Sequence, residues 1–409
     1  MNRDELRDQV LSATSHSILC ELPTGVGKSK IALDYMDSKL KHLIDAHENL
    51  SILIVVPRLV LISNWESEFV KWGRLNYLPY VQFVTYVSFP KKVGIYDMII
   101  FDEAHHFSER CRDAFEDFMS SYTLLLSATV GRNMRYELKG LFADLQVFHV
   151  TARTAIQEEI LPDPKVYLIP LQLDNNMPTC EIVKNKAQKV ELKIPYCQRF
   201  NYSKVKNRKI IIQCTQQQYY DDISSKIAWY KKKMFIEVFK NKFLQESGKR
   251  LKWLSDQKTA FVQSLLIRVL QNQRTLTFCN SIAQTEELGT CCINSKDAKK
   301  SKEHLDMFNR ERINHITACN MLDEGVNLTN CRVGVYAVLN SSERMITQKL
   351  GRLLRHSDPV LIIPYFKNTR EEEIVGKMLE DYNPELVTTI TNLNELKLGV
   401  RNLRRNNSV

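Results

Sequence analysis

Short apolar runs rich in β-branched residues recur along this 409-residue chain, separated by longer stretches whose apolar positions fall every three or four residues. The runs predict strands at Ser51–Pro57, Val81–Thr85, Asp97–Phe101, Thr123–Ser127, Val166–Leu171, Thr275–Cys279, His315–Cys319, Val333–Leu339 and Val360–Tyr365. Between them lie helical stretches such as Lys28–Ile44, with apolar positions at Ile31, Tyr35, Met36, Leu40 and Leu43. Such alternation predicts an α/β fold of parallel sheets with crossover helices. Every apolar run is far shorter than the roughly 18 to 20 residues that cross a bilayer, so no membrane contact is expected.

The alternation fades from about residue 175 to 270, where the text turns polar and lysine-rich and then takes on helical period. A proline-bearing stretch, Glu158–Val166, precedes it and reads as a linker, because a residue before proline is pushed out of helix. The expected division is an α/β lobe over residues 1–160 and a second over 166–409, with a basic, largely helical insertion at about 175–270 within the second.

Composition adds three constraints. Charges fill the first ten residues, where a secretory signal would be apolar, so a cytoplasmic location is expected. None of the ten cysteines is spaced Cys-x-x-Cys, which favours buried thiols in a reducing compartment over a metal or disulfides. The formal charge of +10 is local: Glu181–Lys258 holds 19 Lys and Arg against 7 Asp and Glu, and the other residues sum to −2. Aromatics interleave with those lysines from Tyr219 to Phe243, a pattern that suits either a polyanion footprint or a solvated helical face.

Chemistry is concentrated near the start. In "SILCELPTGVGKS", Ser17 to Ser29, an apolar run leads into a glycine loop and then a helical pattern, the context of a phosphate-binding loop. Gly25 and Gly27 would let backbone N–H groups close on a β-phosphate, Lys28 would reach the β- and γ-phosphates, and Ser29 would ligate Mg²⁺. The strict form of that motif has a glycine where this chain has Leu22. Further on, "YDMIIFDEAHHF" runs an apolar strand into Asp102 and Glu103, at the end of a parallel strand where such sheets bind ligands. Asp102 would hold Mg²⁺, and Glu103 would polarise the water that attacks the γ-phosphate of ATP.

At these residues the chain resembles the superfamily 2 helicases and translocases. "DEAHH" resembles their motif II, and "PTGVGKS" resembles motif I, which adds Thr24 to the nucleotide contacts. "LLSATVGRN" is similar to motif III, implying that Ser127 and Thr129 couple hydrolysis to nucleic-acid binding. "VVPRLVLISNWESEFVKW" and "FVTYVSF" resemble motifs Ia and Ib of Swi/Snf-type and restriction-type translocases, which marks Arg58 as a nucleic-acid contact. "TLTFCNS", "TACNMLDEGVNLTN" and "QKLGRLLRH" resemble motifs IV, V and VI. They bring in Gly325 at the nucleotide and Gln348, Arg352 and Arg355 as catalytic groups, the two arginines one helical turn apart as an arginine finger supplied within the chain. "LRDQVL" is similar to the adenine-reading Q-motif and implies Gln9 as an adenine contact.

The resemblance spans roughly residues 1–170 and 270–360. It implies two tandem RecA-like lobes, ATP and Mg²⁺ as cofactors, and a nucleic-acid substrate with DNA favoured over RNA. In that setting Lys231, Lys232 and Lys233 of the insertion become candidate phosphate contacts, while Trp229, Tyr230 and Trp253 either stack on bases or hold helices together. The first 165 residues contain Cys20 and Cys111 alone, too few for the four-thiolate iron–sulfur cluster of some DNA helicases. The favoured reading is a DNA helicase or translocase of replication, repair or recombination. Its alternatives are an RNA helicase, the motor subunit of a restriction or remodelling complex with further protein partners, and a silent scaffold. The scaffold reading predicts losses at Lys28, Glu103, Arg352 or Arg355, and all four residues are present.

Overall fold

The computed structural model describes residues 2–46, 49–185, 204–206, 209–289, 291–294, 296–319, 328–340, 356–380 and 382–402. Six strands form the first sheet: β1 (Ser17–Glu21), β2 (Ile52–Val56), β3 (Val81–Thr85), β4 (Ile95–Asp102), β5 (Met119–Ser127) and β6 (Gln146–His149). Their order is β3-β2-β4-β5-β1-β6, and every pairing is parallel. Because side chains alternate across a strand, Ile18, Ile54, Ile100 and Leu124 pack into one apolar layer while Leu19, Val55, Phe101 and Leu125 pack into the opposite one. Burial on both faces is why these strands read as unbroken apolar runs rather than alternating ones.

β7 (Lys165–Leu171) belongs to a second sheet, which the chain leaves for β8 (Cys180–Asn185), β9 (Lys204–Lys206) and β10 (Lys209–Cys214). Two helices, Gln216–Lys231 and Glu237–Gln257, follow as a hairpin, and Thr259–Arg268 leads back to the sheet. There lie β11 (Thr275–Cys279), β12 (Cys292–Ile293), β13 (His315–Cys319), β14 (Val333–Tyr336), β15 (Val360–Phe366) and β16 (Val387–Thr389). This second sheet runs β12-β13-β11-β14-β15-β7-β16, again parallel throughout. The protein thus carries two parallel-sheet α/β domains.

The insertion departs from the helical expectation: β8, β10 and β9 form an antiparallel sheet of their own. Its core is small, with Ile182, Ile212 and Cys214 buried and Cys180 and Tyr219 packed against them. β10 does carry a β-branched run, Ile210–Ile212, but it stands alone in polar, lysine-rich text and not in the alternation that marks the parallel strands. The base of the hairpin is pinned to the second domain by a buried ion pair. Lys258 Nζ stands 2.6 Å from Glu371 Oε1, and both side chains are essentially inaccessible. The nine described cysteines form no disulfide, and seven are buried. Among the described residues no helix is long and apolar enough to cross a membrane.

Candidate active site

Parallel pairing puts the C-terminal ends of β1, β4 and β5 on one edge of the first sheet. Register sets Glu21 beside Ser127 and Asp102 beside Leu126, so the loops after these three strands share a rim. Glycines shape the first loop: Gly25 and Gly27 have φ of 99° and 102°, a left-handed backbone that side-chain-bearing residues seldom adopt. Gly27 is also the N-cap of helix Lys28–Asp45 and supplies no side-chain cap, which leaves the first-turn N–H groups available to an anion. A Cβ built on Gly27 meets nothing within 4 Å, so the loop faces open space. Lys28 Nζ donates to the Leu22 carbonyl at 3.0 Å, folded back across its own loop, and the buried Thr24 Oγ1 has no hydrogen-bond partner. A curled lysine and an unsatisfied hydroxyl suit a loop built for phosphate oxygens.

Asp102 ends β4, and Glu103 follows it with φ 51° and ψ 58°, strained for a residue with a side chain. Burial, followed by the neighbouring Glu103 charge, raises the Asp102 pKa from 3.8 to about 6; the Trp65 indole, Lys28 and the Glu103 backbone act against that rise. His105 joins the second loop to the third. Its Nδ1 lies 3.3 Å from Glu103 Oε2 and 3.2 Å from Ser127 Oγ, and Ser127 Oγ donates to the Thr129 carbonyl at 3.0 Å. Buried Thr129 Oγ1 has no hydrogen-bond partner. Glu21 ties the first loop to the third: its carboxylate accepts the Val130 N–H at 2.7 Å and pairs with Arg135 and His149.

Thr24, Gly25, Gly27, Lys28, Ser29, Asp102, Glu103, Ser127 and Thr129 therefore gather on one rim. Arg58 stands exposed just past the end of β2, on the same edge. Gln9 is on the exposed side of helix Arg3–Leu11, while Leu6 and Val10 face the core. Lys231 ends the first hairpin helix, Lys232 caps it and Lys233 follows, all in the insertion of the second domain. Gly325, Gln348, Arg352 and Arg355 lie outside the described residues. Among the described residues no three His, Cys, Asp or Glu side chains group as a metal cage. Mg²⁺ needs none: it keeps waters and takes one or two protein oxygens plus phosphates, so a hydroxyl and a carboxylate, Ser29 and Asp102, are a fitting donor set.

Sequence reasoning missed Trp65, Tyr86, His105 and Glu21. His105 sat in view inside "DEAHH"; the other three become partners only through folding.

Two family models match the chain: the type III restriction enzyme res subunit over residues 4–132 and the helicase conserved C-terminal domain over 257–357. No curated protein matches the sequence significantly. Among solved structures, Saccharomyces cerevisiae Dbp5 bound to RNA and ADP BeF3 aligns with TM-score 0.61 at 10% identity, over 98% of this chain and 92% of its own. The Pyrococcus furiosus Hef helicase domain gives 0.51 at 15%, over 92% and 97%. A fragment described as an HsdR subunit of a type I restriction enzyme from Vibrio vulnificus gives 0.57 at 15%, over 95% and 68%. At such identities these structures establish the shared fold.

Proposed function

We infer, for a chain that belongs to the superfamily 2 helicases of restriction-subunit type and so hydrolyses ATP as a nucleic-acid helicase or translocase, that its track is DNA. The observation that carries this reading is the match of the first domain to a restriction-enzyme subunit, which includes the Arg58 segment and Trp65. RNA is the second reading, supported by the Dbp5 structure with RNA.

In this proposal the loop at Thr24–Ser29 holds the triphosphate by backbone N–H groups, and Lys28 swings from Leu22 to the β- and γ-phosphates. Bound Mg²⁺ would neutralise phosphate charge between Ser29 and Asp102. Glu103 orients and deprotonates the attacking water, with His105 relaying its state to Ser127 and Thr129. Gln9 and Gly325 contact the nucleotide, and Gln348, Arg352 and Arg355 from the second lobe complete the phosphate cage. Loss of the γ-phosphate then releases a grip that both lobes share, and the lobes part.

Nucleic acid runs past Arg58 and the helical hairpin. Support for the hairpin comes from its tip, where Trp229, Tyr230 and Phe239 pack together and Lys233 Nζ lies 3.9 Å over the Trp229 ring. Beyond them Phe235 is 84% exposed and Val238 60%, an apolar turn flanked by Lys231, Lys232, Lys240 and Lys242. Such a surface suits a strand whose bases meet the apolar turn while its phosphates meet the lysines. The test is ATP turnover with duplex DNA, single-stranded DNA and RNA supplied separately. Duplex DNA is expected to stimulate most; stimulation by RNA alone would transfer the reading to the second.

A further inference from the structure

Two side chains that no role above requires close on Asp102 from separate segments of the chain. Trp65 lies on helix Val60–Lys71, which follows β2, and its indole Nε1 donates to Asp102 Oδ2 at 3.0 Å while the residue is 3% exposed. Tyr86 follows β3, and its hydroxyl donates to the Asp102 main-chain carbonyl at 2.8 Å. The Tyr86 ring stacks on Phe101, with centroids 6.2 Å apart, which fixes its own position. One donor therefore sets the carboxylate and the other sets the backbone that carries it.

The chemistry of the pair is selective. An indole N–H is a neutral donor, so it fixes one carboxylate oxygen and favours ionisation without cancelling the charge as lysine or arginine would. The Glu103 backbone also supports this carboxylate, so the group is held from two directions. Trp65 also stands seven residues beyond Arg58 on a continuous helix that begins at Val60. That helix is the covalent route from the Arg58 segment to the indole.

We propose that Trp65 is a positioning residue that couples nucleic-acid engagement at the Arg58 segment to metal binding at Asp102, with Tyr86 as the fixed side of the clamp. This rests on the motor reading above. Outer-shell donors to metal-ligating groups change metal affinity or activity by about 10- to 100-fold when removed.

The test is Trp65→Phe in the full chain, which keeps an aromatic ring and deletes the N–H. Two readouts are needed: Mn²⁺ binding to the nucleotide-bound protein by electron paramagnetic resonance, and the Mg²⁺ dependence of ATP turnover with and without DNA. The expected result is Mn²⁺ affinity down by about 10-fold, a similar rise in the Mg²⁺ needed for half-maximal turnover, and DNA stimulation largely lost, with recovery of basal turnover at high Mg²⁺. Unchanged Mn²⁺ affinity together with normal DNA stimulation would overturn the proposal. Should Trp65→Phe fold poorly, β-(3-benzothienyl)alanine at position 65 preserves the shape and replaces N–H by sulfur, and the same two results decide. If wild-type turnover ignores every nucleic acid, the motor reading itself has failed, an outcome distinct from a mutant that behaves as wild type.

Discussion

Asp102 carries opposed demands: the proposed magnesium role needs it ionised, while its enclosure and Glu103 favour the proton. A carboxyl with a raised folded pKa binds protons more readily folded than unfolded, so its ionisation subtracts stability as pH rises from about 4 through 6. Asp102→Asn is therefore expected to raise the unfolding free energy at pH 8 by on the order of 1–2 kcal/mol. The gain at pH 4.5 should be only about a third as large, and ATP turnover should vanish. Thermal melts at the two pH values check this, and a mutant no more stable than wild type at pH 8 would refute it. At this scale the glycine loop and the Asp102–Glu103 pair were legible because each is a local pattern of neighbours along the chain. Trp65 was not, because its partner lies 37 residues away and meets it only after β2 and β4 pair.

Elements were legible where apolar or β-branched residues cluster in the sequence. The predicted strands at Val81–Thr85, Thr275–Cys279 and His315–Cys319 match β3, β11 and β13 residue for residue, since each is rich in apolar and β-branched residues. Missed were β6, whose residues are half-buried or exposed, the two-residue β12, the three-residue β16, and the lysine-rich strands of the insertion. The hairpin helices showed in the sequence, but their anchor did not: Lys258 looked like one more surface lysine in a basic segment. Instead its Nζ sits in the core with Glu371 and the Pro364 carbonyl, and Glu371 Oε2 accepts the Phe366 N–H at 3.0 Å. Lys258→Met strands the Glu371 charge and should destabilise by about 3–5 kcal/mol in a denaturant titration, whereas Lys258→Met with Glu371→Gln should recover much of that loss. Equal losses in single and double variants would show that the pair is not what holds the hairpin base.

On the scale of the whole molecule, two parallel-sheet domains place the glycine loop in one and a basic hairpin in the other, and the chain passes between them from β6 to β7. In the proposed function the basic excess of Glu181–Lys258 would serve as an electrostatic handle on nucleic acid. Replacing Lys231, Lys232 and Lys233 together by alanine should weaken DNA binding at all sequences and flatten the plot of log affinity against log salt by roughly 2 to 3 units of slope. An unchanged slope from fluorescence anisotropy would move the footprint elsewhere. The most direct test of the account is single-turnover ATP hydrolysis by wild type and Glu103→Gln on duplex DNA. The account predicts a mutant that binds ATP and DNA as tightly as wild type and hydrolyses almost nothing, and a mutant with full turnover would contradict it.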